Sequence, residues 1–295
     1  MSAGTFAQLV LLAAIWGASF LFMRISAPVL GAAWLADLRV GLAALFLFVV
    51  ARFLKRPLHF WQHRRHFAIL GVINSALPFL LYNYAAQTLS ASVLSIVNAT
   101  APIWGALVVA AWTRQRIEAR VLAGMVLGIG GVAVLVGLSG LPSGSQGLRA
   151  LAAAVAAPLC YGIASCYARE APQVPAFNNA HGSMWMATFA LLPLLPLNPP
   201  GALPTPEVMA AILALGILCS GVAYLMYFRL IAIAGPTSAL TVTFLIPLFG
   251  VLWGHSFLNE PVGMNTALGG ALVVAGTMLV TGFSPRVLLR RAAQT

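Results

Sequence analysis

Gly124-Met125-Val126-Leu127-Gly128-Ile129-Gly130-Gly131 and, 145 residues later, Gly269-Gly270-Ala271-Leu272-Val273-Val274-Ala275-Gly276 decide the fold. Both stretches are apolar and glycine-bearing, and each lies inside a run long enough to cross a bilayer. Such a span needs ~20 mainly apolar residues at a rise of ~1.5 Å per residue. Gly128-Ile129-Gly130-Gly131 superficially resembles a dinucleotide-binding loop, but it sits inside an apolar run with no strand before it. Its glycines are read as helix-contact positions instead. The i, i+4 pairs Gly124/Gly128 and Gly250/Gly254 let helices approach closely.

The same offset of 145 recurs along the chain. Trp16-Gly17 matches Tyr161-Gly162, and Arg24 matches Arg169. Gly71, Ser75 and Tyr82 match Gly216, Ser220 and Tyr227. Pro102 and Gly105 match Pro247 and Gly250, and Gly137 matches Gly282. A constant offset shared by Gly, Pro and aromatic positions predicts an internal duplication.

Composition bounds the class. Of 295 residues, 61% are apolar and 7% charged, with 16 Lys plus Arg against 5 Asp plus Glu, a net charge of +11. A soluble domain carries about 25% charged residues, so an ordinary soluble fold is excluded. Disorder is excluded by the mean hydropathy of +0.96. A nucleic-acid surface would need clustered cations beside a soluble core, and no such core is visible, so no nucleic-acid partner is expected. Cys160, Cys166 and Cys219 lie in apolar stretches and read as buried free thiols. Their odd number and lack of metal spacing argue against disulfides or zinc. No cofactor is expected.

Ten spans follow, at 5–27, 33–54, 66–88, 91–113, 119–139, 147–169, 177–198, 207–231, 236–257 and 263–283. The runs are continuous rather than alternating, which favours helices over strands. Turn formers and charges separate them: Arg52-Lys55-Arg56-Pro57, Ser139-Gly140-Leu141-Pro142-Ser143-Gly144, Pro196-Pro199-Pro200 and Gly235-Pro236. The N-terminus lacks a basic region and a cleavage site, so its first run reads as a retained span. With the N-terminus in the cytoplasm, Arg52, Lys55, Arg56, Arg64, Arg65, Arg114, Arg116, Arg120, Arg169, Arg229, Arg286, Arg290 and Arg291 fall inside. Arg24, Arg39 and Arg149 fall outside. The bias predicts a multi-pass protein of the inner (plasma) membrane with both termini cytoplasmic.

Each half holds five spans, and an odd number makes the second half enter from the opposite side. The expected fold is all-α, ten transmembrane helices as two inverted five-helix repeats. The first repeat covers 1–140, the second 145–285, and 286–295 form a basic cytoplasmic tail. Inverted repeats are typical of transporters that bind substrate near the midplane. Because one chain carries both repeats, a monomer can suffice, in a lipid bilayer and with a small-molecule substrate as partner.

The residues Trp16-Gly17-Ala18-Ser19-Phe20, Arg39, Ala99-Thr100-Ala101-Pro102-Ile103, Leu245-Ile246-Pro247, Leu258-Asn259-Glu260-Pro261, Gly269-Gly270 and Gly276 together carry a resemblance. In order and spacing the chain resembles the EamA-type ten-helix transporters of the drug/metabolite transporter superfamily, and within it the YddG-type amino-acid exporters. The resemblance covers nearly the whole chain. It implies a central cavity lined by spans 1–4 and 6–9, with 5 and 10 peripheral. One departure is that Glu260 is matched in the first half by Gln115, where many relatives keep an acid.

Polar groups inside a span are costly and usually face the bundle interior. Asn74, Pro78 and Tyr82 recur every four residues, with Ser75 alongside; Ser95, Asn98 and Pro102 make a second row. Ser220, Tyr224 and Tyr227 form a third, and Thr237, Thr241 and Thr243 lie in the ninth span. Trp16 and Tyr161 are matched, with Ser19 and Ser165 nearby. The candidate substrate-binding residues are Trp16, Asn74, Ser75, Tyr82, Asn98, Tyr161, Ser220, Tyr224, Tyr227 and Thr243. An aromatic cavity with a few hydroxyl and amide contacts suits small molecules with an apolar body. For each Ser or Thr the alternative is back-bonding to its own helix. Trp34, Trp61 and Trp112 read as interface anchors. Pro102 and Pro247 break the hydrogen-bond ladders of matched helices and read as hinges or as packing kinks.

Of the acids, Glu118, Glu170, Glu207 and Glu260 sit at span ends or loops, and Asp37 is expected to reach interfacial water. His59, His63 and His66 are expected in the basic loop, and His181 and His255 near span ends. Without a deep carboxylate the expectation is a facilitator exporting small metabolites, foremost aromatic or hydrophobic amino acids, by alternating access. Export of drugs or nucleosides, and proton coupling, remain alternatives. Metal and phosphate substrates are disfavoured by the missing acid and basic clusters. A membrane-embedded enzyme would need a motif such as H-E-x-x-H or G-x-S-x-G, and a channel charged rings or a filter loop; none is present.

Overall fold

The computed structural model describes residues 3–139, 144–235, 239 and 241–282. Pro236, Thr237, Gly140-Leu141-Pro142-Ser143 and the tail with Arg286, Arg290 and Arg291 lie outside the described residues. Among the described residues every regular element is helical.

The first helix, α1 (Ala3–Phe53), is interrupted at Gly31, where φ is 75° and ψ 171°. Glycine alone enters that region without a Cβ penalty. In a straight helix residues 16 apart lie ~24 Å from one another, yet Arg39 Nη1 is 3.6 Å from Met23 Sδ. α1 is therefore a hairpin with arms 3–30 and 32–53, matching the first two expected spans. Arg24 on the first arm donates to the carbonyls of Ala86 at 2.9 Å and Gln87 at 3.0 Å, closing the C-terminal end of the next helix.

That helix, α2 (Phe60–Ala86), contains a π-helical turn at Val72–Ala76. α3 (Ala91–Thr113) breaks at residues 99–100, just before Pro102. α4 (Ala119–Ser139), α5 (Ser145–Glu170) and α6 (Ala176–Leu191) follow. α7 (Pro206–Ala234) has a π segment at Ala214–Val222, and α8 (Val242–Leu258) and α9 (Met264–Thr281) complete the chain. Six helical segments among the described residues are long and apolar enough to cross a membrane by length and composition.

Glycines set the closest approaches. A Cβ added to Gly124 would lie 2.6 Å from the Gly276 carbonyl oxygen, and one on Gly131 2.8 Å from that of Gly269. α4 and α9 thus pack backbone to backbone, antiparallel. Gly17 meets Phe249 and Gly250, while Gly162 meets Trp104 and Gly105. Gly71 meets Ser183 and Ala187, while Gly216 meets Arg39 and Leu42. With little hydrophobic drive between helices in lipid, such contacts carry much of the packing. The break in α3 is compensated, because the Thr277 hydroxyl donates to the Ala99 carbonyl at 2.8 Å.

Three expectations are corrected. α2 begins at Phe60 rather than residue 66, so His63 and His66 are helical and not in a loop. His66 is buried, with ring nitrogens 3.1 Å from Tyr167 Oη and 2.8 Å from Asn179 Oδ1, and these contacts draw the helix start inward. Arg39 is not an outer-loop charge: it is buried eight residues past Gly31, ~12 Å along its arm. Asp37 does not reach interfacial water. It is 8% exposed, and its Oδ1 has no hydrogen-bond partner. Trp34, Asp37 and Gly41 share a face; Trp34 Nε1 donates to the Leu195 carbonyl at 3.3 Å, and a Cβ on Gly41 would lie 3.8 Å from Thr188. α6 and the turn after it pack on this helix face, and the carboxylate is buried with it. All three cysteines are buried free thiols, as expected.

Candidate functional site

The two π segments place the centre of the site. A π turn inserts a residue and re-aims the side chains beside it, and such turns frequently mark functional positions. Ser75 lies in the first and its match Ser220 in the second. Ser220 Oγ donates to the Leu215 carbonyl at 3.0 Å, five residues back, and accepts from Arg39 Nε at 2.9 Å. Ser75 Oγ is fully buried without a partner.

Arg39 is the pivot. Its guanidinium stacks 3.7 Å from the centroid of the Phe79 ring, and Nη1 faces Met23 Sδ. Tyr161, Tyr224 and Cys219 lie within its electrostatic reach. Among the described residues no carboxylate comes within ion-pair distance of it. A guanidinium has five N–H donors, and the bonds to Ser220 and Met23 leave several for another acceptor. A cation held in apolar surroundings with only neutral partners is expensive, and an anionic partner would offset that cost.

Around this charge the structure brings together most of the expected residues. Trp16 meets Tyr227 at 5.2 Å and Tyr224 at 6.4 Å between ring centroids. The Asn74 side chain lies beside Tyr224. Tyr82 Oη donates to Asn98 Oδ1 at 3.0 Å, and its ring meets the edge of Phe20 at 5.7 Å. Tyr161 lies near both Arg39 and Tyr82. Trp16, Asn74, Asn98, Tyr161, Tyr224 and Tyr227 are half-buried, and Tyr82 and Ser220 are buried. Thr243 is half-buried in the first turn of α8. Asn98 and Thr243 each stand four residues before a proline, so neither carbonyl receives the usual helical donor. The two prolines differ locally: Pro102 sits in the first turn after the break in α3, whereas Pro247 lies inside a continuous helix.

Arg39, Phe79, Met23 and Phe20 were not among the expected site residues. The signal for Arg39 was present, since a charge inside the expected span 33–54 is itself a functional pointer. Glu260 is buried but committed elsewhere. Its carboxylate accepts from Ala91 N at 2.7 Å, Ser92 N at 3.0 Å and Ser92 Oγ at 2.6 Å, capping the start of α3.

The model of the EamA-like transporter family matches this chain twice, over residues 5–137 and 148–282. The chain belongs to the EamA-like transporter family. An uncharacterized transporter of Archaeoglobus fulgidus is 32% identical, over 95% of this chain and 98% of that one. A probable terminal-alkyne amino-acid exporter of Streptantibioticus cattleyicolor is 25% identical, over 92% and 91%. A solved crystal structure at 20% identity covers both chains fully with a TM-score of 0.62, which bears on the fold alone. This EamA-like protein is thus a multi-pass membrane transporter.

Proposed function

We propose that this EamA-like transporter exports small carboxylate-bearing metabolites, foremost amino acids with aromatic or other hydrophobic side chains. The observation that carries the reading is Arg39, a buried cation without an acidic partner, set among Tyr161, Tyr224, Trp16 and Phe79. A carboxylate would satisfy the guanidinium bidentately, and an apolar side chain would lie on the rings. The amino-acid exporter among the relatives supports the same class. A drug or nucleoside without a carboxylate leaves the charge unpaired.

The substrate site comprises Trp16, Asn74, Ser75, Tyr82, Asn98, Tyr161, Ser220, Tyr224, Tyr227 and Thr243, with Arg39 added. Access alternates by rocking of two inverted repeats, 1–140 and 145–285, about Pro102 and Pro247. Reciprocity supports the inversion. Gly124 meets Gly276, and their repeat counterparts Gly269 and Gly131 meet each other. Gly17 meets Gly250, and their counterparts Gly162 and Gly105 do the same. A two-fold axis produces such exchanged pairs. The hairpin in α1 brings the passes to ten, with both termini cytoplasmic in the inner membrane and a monomer as the working unit.

Transport runs down the substrate gradient. Glu260 is committed to capping α3, and Asp37 shares the helix face of Trp34 and Gly41 rather than that of Arg39. A second reading, proton-coupled export, is favoured by the burial of Asp37. Counterflow in liposomes against amino acids, nucleosides and cationic dyes tests the substrate class. Exchange of hydrophobic amino acids is expected; exchange confined to dyes or nucleosides would overturn it.

A further inference from the structure

A second site lies away from this cluster, where the second arm of α1 ends. A cavity of about 950 Å³ opens there between that arm and α6. Phe48, Trp185 and Phe189 wall it, and Arg52, Lys55 and Arg56 stand at its rim; no acidic residue lines it. Phe48 is 47% exposed and Phe189 51%, on helices of a membrane-spanning bundle, so the apolar side faces acyl chains.

The rim is built rather than incidental. Lys55 is left-handed with φ 51°, and Arg56 N donates to the Ala51 carbonyl at 3.0 Å, ending the helix. Asn178 Nδ2 donates to the Pro57 carbonyl at 3.0 Å and pins the following loop to α6. The Arg56 guanidinium lies 5.7 Å from the Phe177 ring centroid.

The lining holds an unsatisfied donor. His181 is 2% exposed, and its Nε2 lies 3.1 Å from Trp185 Nε1. An indole nitrogen only donates, so Nε2 must accept, and the neutral ring carries its proton on Nδ1. His181 Nδ1 is buried without a partner. A cavity lining with three cations and an orphan N–H calls for an anionic oxygen ligand, and the aromatic walls call for a hydrocarbon chain.

We propose that this cavity binds an anionic phospholipid of the cytoplasmic leaflet, its phosphate at Arg52, Lys55 and Arg56 and its acyl chain along Phe48, Trp185 and Phe189. Basic pockets between spanning helices on the cytoplasmic side recognise such headgroups. The leaflet assignment rests on the orientation proposed above; the lipid chemistry does not rest on the transport substrate.

The test is native mass spectrometry of the full chain after equilibration with mixed micelles of phosphatidylglycerol and phosphatidylcholine. Wild type is expected to retain phosphatidylglycerol at least five-fold over phosphatidylcholine. The variant Arg52→Gln/Lys55→Gln/Arg56→Gln is expected to lose that preference, while Arg114→Gln/Arg116→Gln/Arg120→Gln, at another basic helix end, keeps it. Equal loss in both variants overturns the site, as does equal retention of the two lipids by wild type. Complete competition by glycerol phosphate would assign the cavity to a soluble anion and overturn the lipid. His181→Phe, checked for an unchanged thermal midpoint, is expected to weaken retention without abolishing it; unchanged retention would remove the ring from the site. Failure of amino-acid counterflow would leave these lipid readouts standing, so the two proposals fail separately.

Discussion

Glu260 and Ser92 are joined twice: one carboxylate oxygen, Oε2, accepts from the Ser92 amide at 3.0 Å and from its hydroxyl at 2.6 Å. The other oxygen takes the Ala91 amide at 2.7 Å, so one side chain beyond the end of α8 caps the start of α3. Asn259, left-handed at φ 52°, turns the chain to make this reach.

Glu260→Ala is therefore expected to destabilise the protein. Hydrogen bonds to a charged group are worth about 1.5–3 kcal/mol each, and they are not additive. A net loss of about 3 kcal/mol is expected, visible as a lower thermal midpoint in detergent. Glu260→Gln keeps an acceptor and is expected to lose less. An unchanged midpoint for the alanine variant would refute the capping role.

Arg39→Gln is expected to reduce hydrophobic amino-acid counterflow by about 100-fold, in the range found when one member of a buried charge pair is removed. Arg39→Lys keeps the charge but not the planar fork and is expected to fall between. Amino-acid methyl esters, which lack the carboxylate, separate recognition from folding. Wild type and Arg39→Gln should handle them alike. A variant that loses ester and free acid equally would make Arg39 a packing residue.

The apolar runs located most helix ends within a few residues, because a bilayer demands length and continuity that a sequence displays directly. Gly124 and Gly250 were legible as close-contact positions, but their partners, Gly276 and Gly17, depend on how the helices pack. Arg39 was misplaced because a charge count along the chain is blind to Met23, Phe79 and Ser220, which arrive from three other segments. Asp37 was misjudged for a related reason. Its depth below the helix start was legible, but the packing of α6 against Gly41 on the same face was not. Tyr82 and Asn98 were each legible as cavity candidates; their mutual bond depends on the packing of α2 against α3.

Two glycines of α4 offer a controlled contrast. A Cβ on Gly124 would meet the Gly276 carbonyl oxygen at 2.6 Å, whereas one on Gly130 has nothing within 4 Å. Gly124→Ala should thus force α4 and α9 apart at a cost of about 1–3 kcal/mol. Gly130→Ala should be neutral or stabilising by up to about 1 kcal/mol, since alanine is the better helix former. Thermal midpoints of the two variants, measured side by side, decide this. Equal midpoints would deny the close packing of the two helices.

Asp37 separates the two modes of energy coupling. Its Oδ1 is buried without a hydrogen bond, and it shares a helix face with Trp34 and Gly41. If transport is downhill, this carboxylate is a structural burden, and Asp37→Asn replaces a poorly compensated buried ionisable group with a neutral amide at little change in volume. Counterflow should then stay within about two-fold of wild type, and the thermal midpoint should hold or rise. A pH gradient imposed across proteoliposomes should drive no accumulation of amino acid above the external concentration. Uphill accumulation that disappears in Asp37→Asn, with counterflow intact, would instead make Asp37 the proton-carrying group. The same pair of assays therefore assigns the carboxylate to one role or the other.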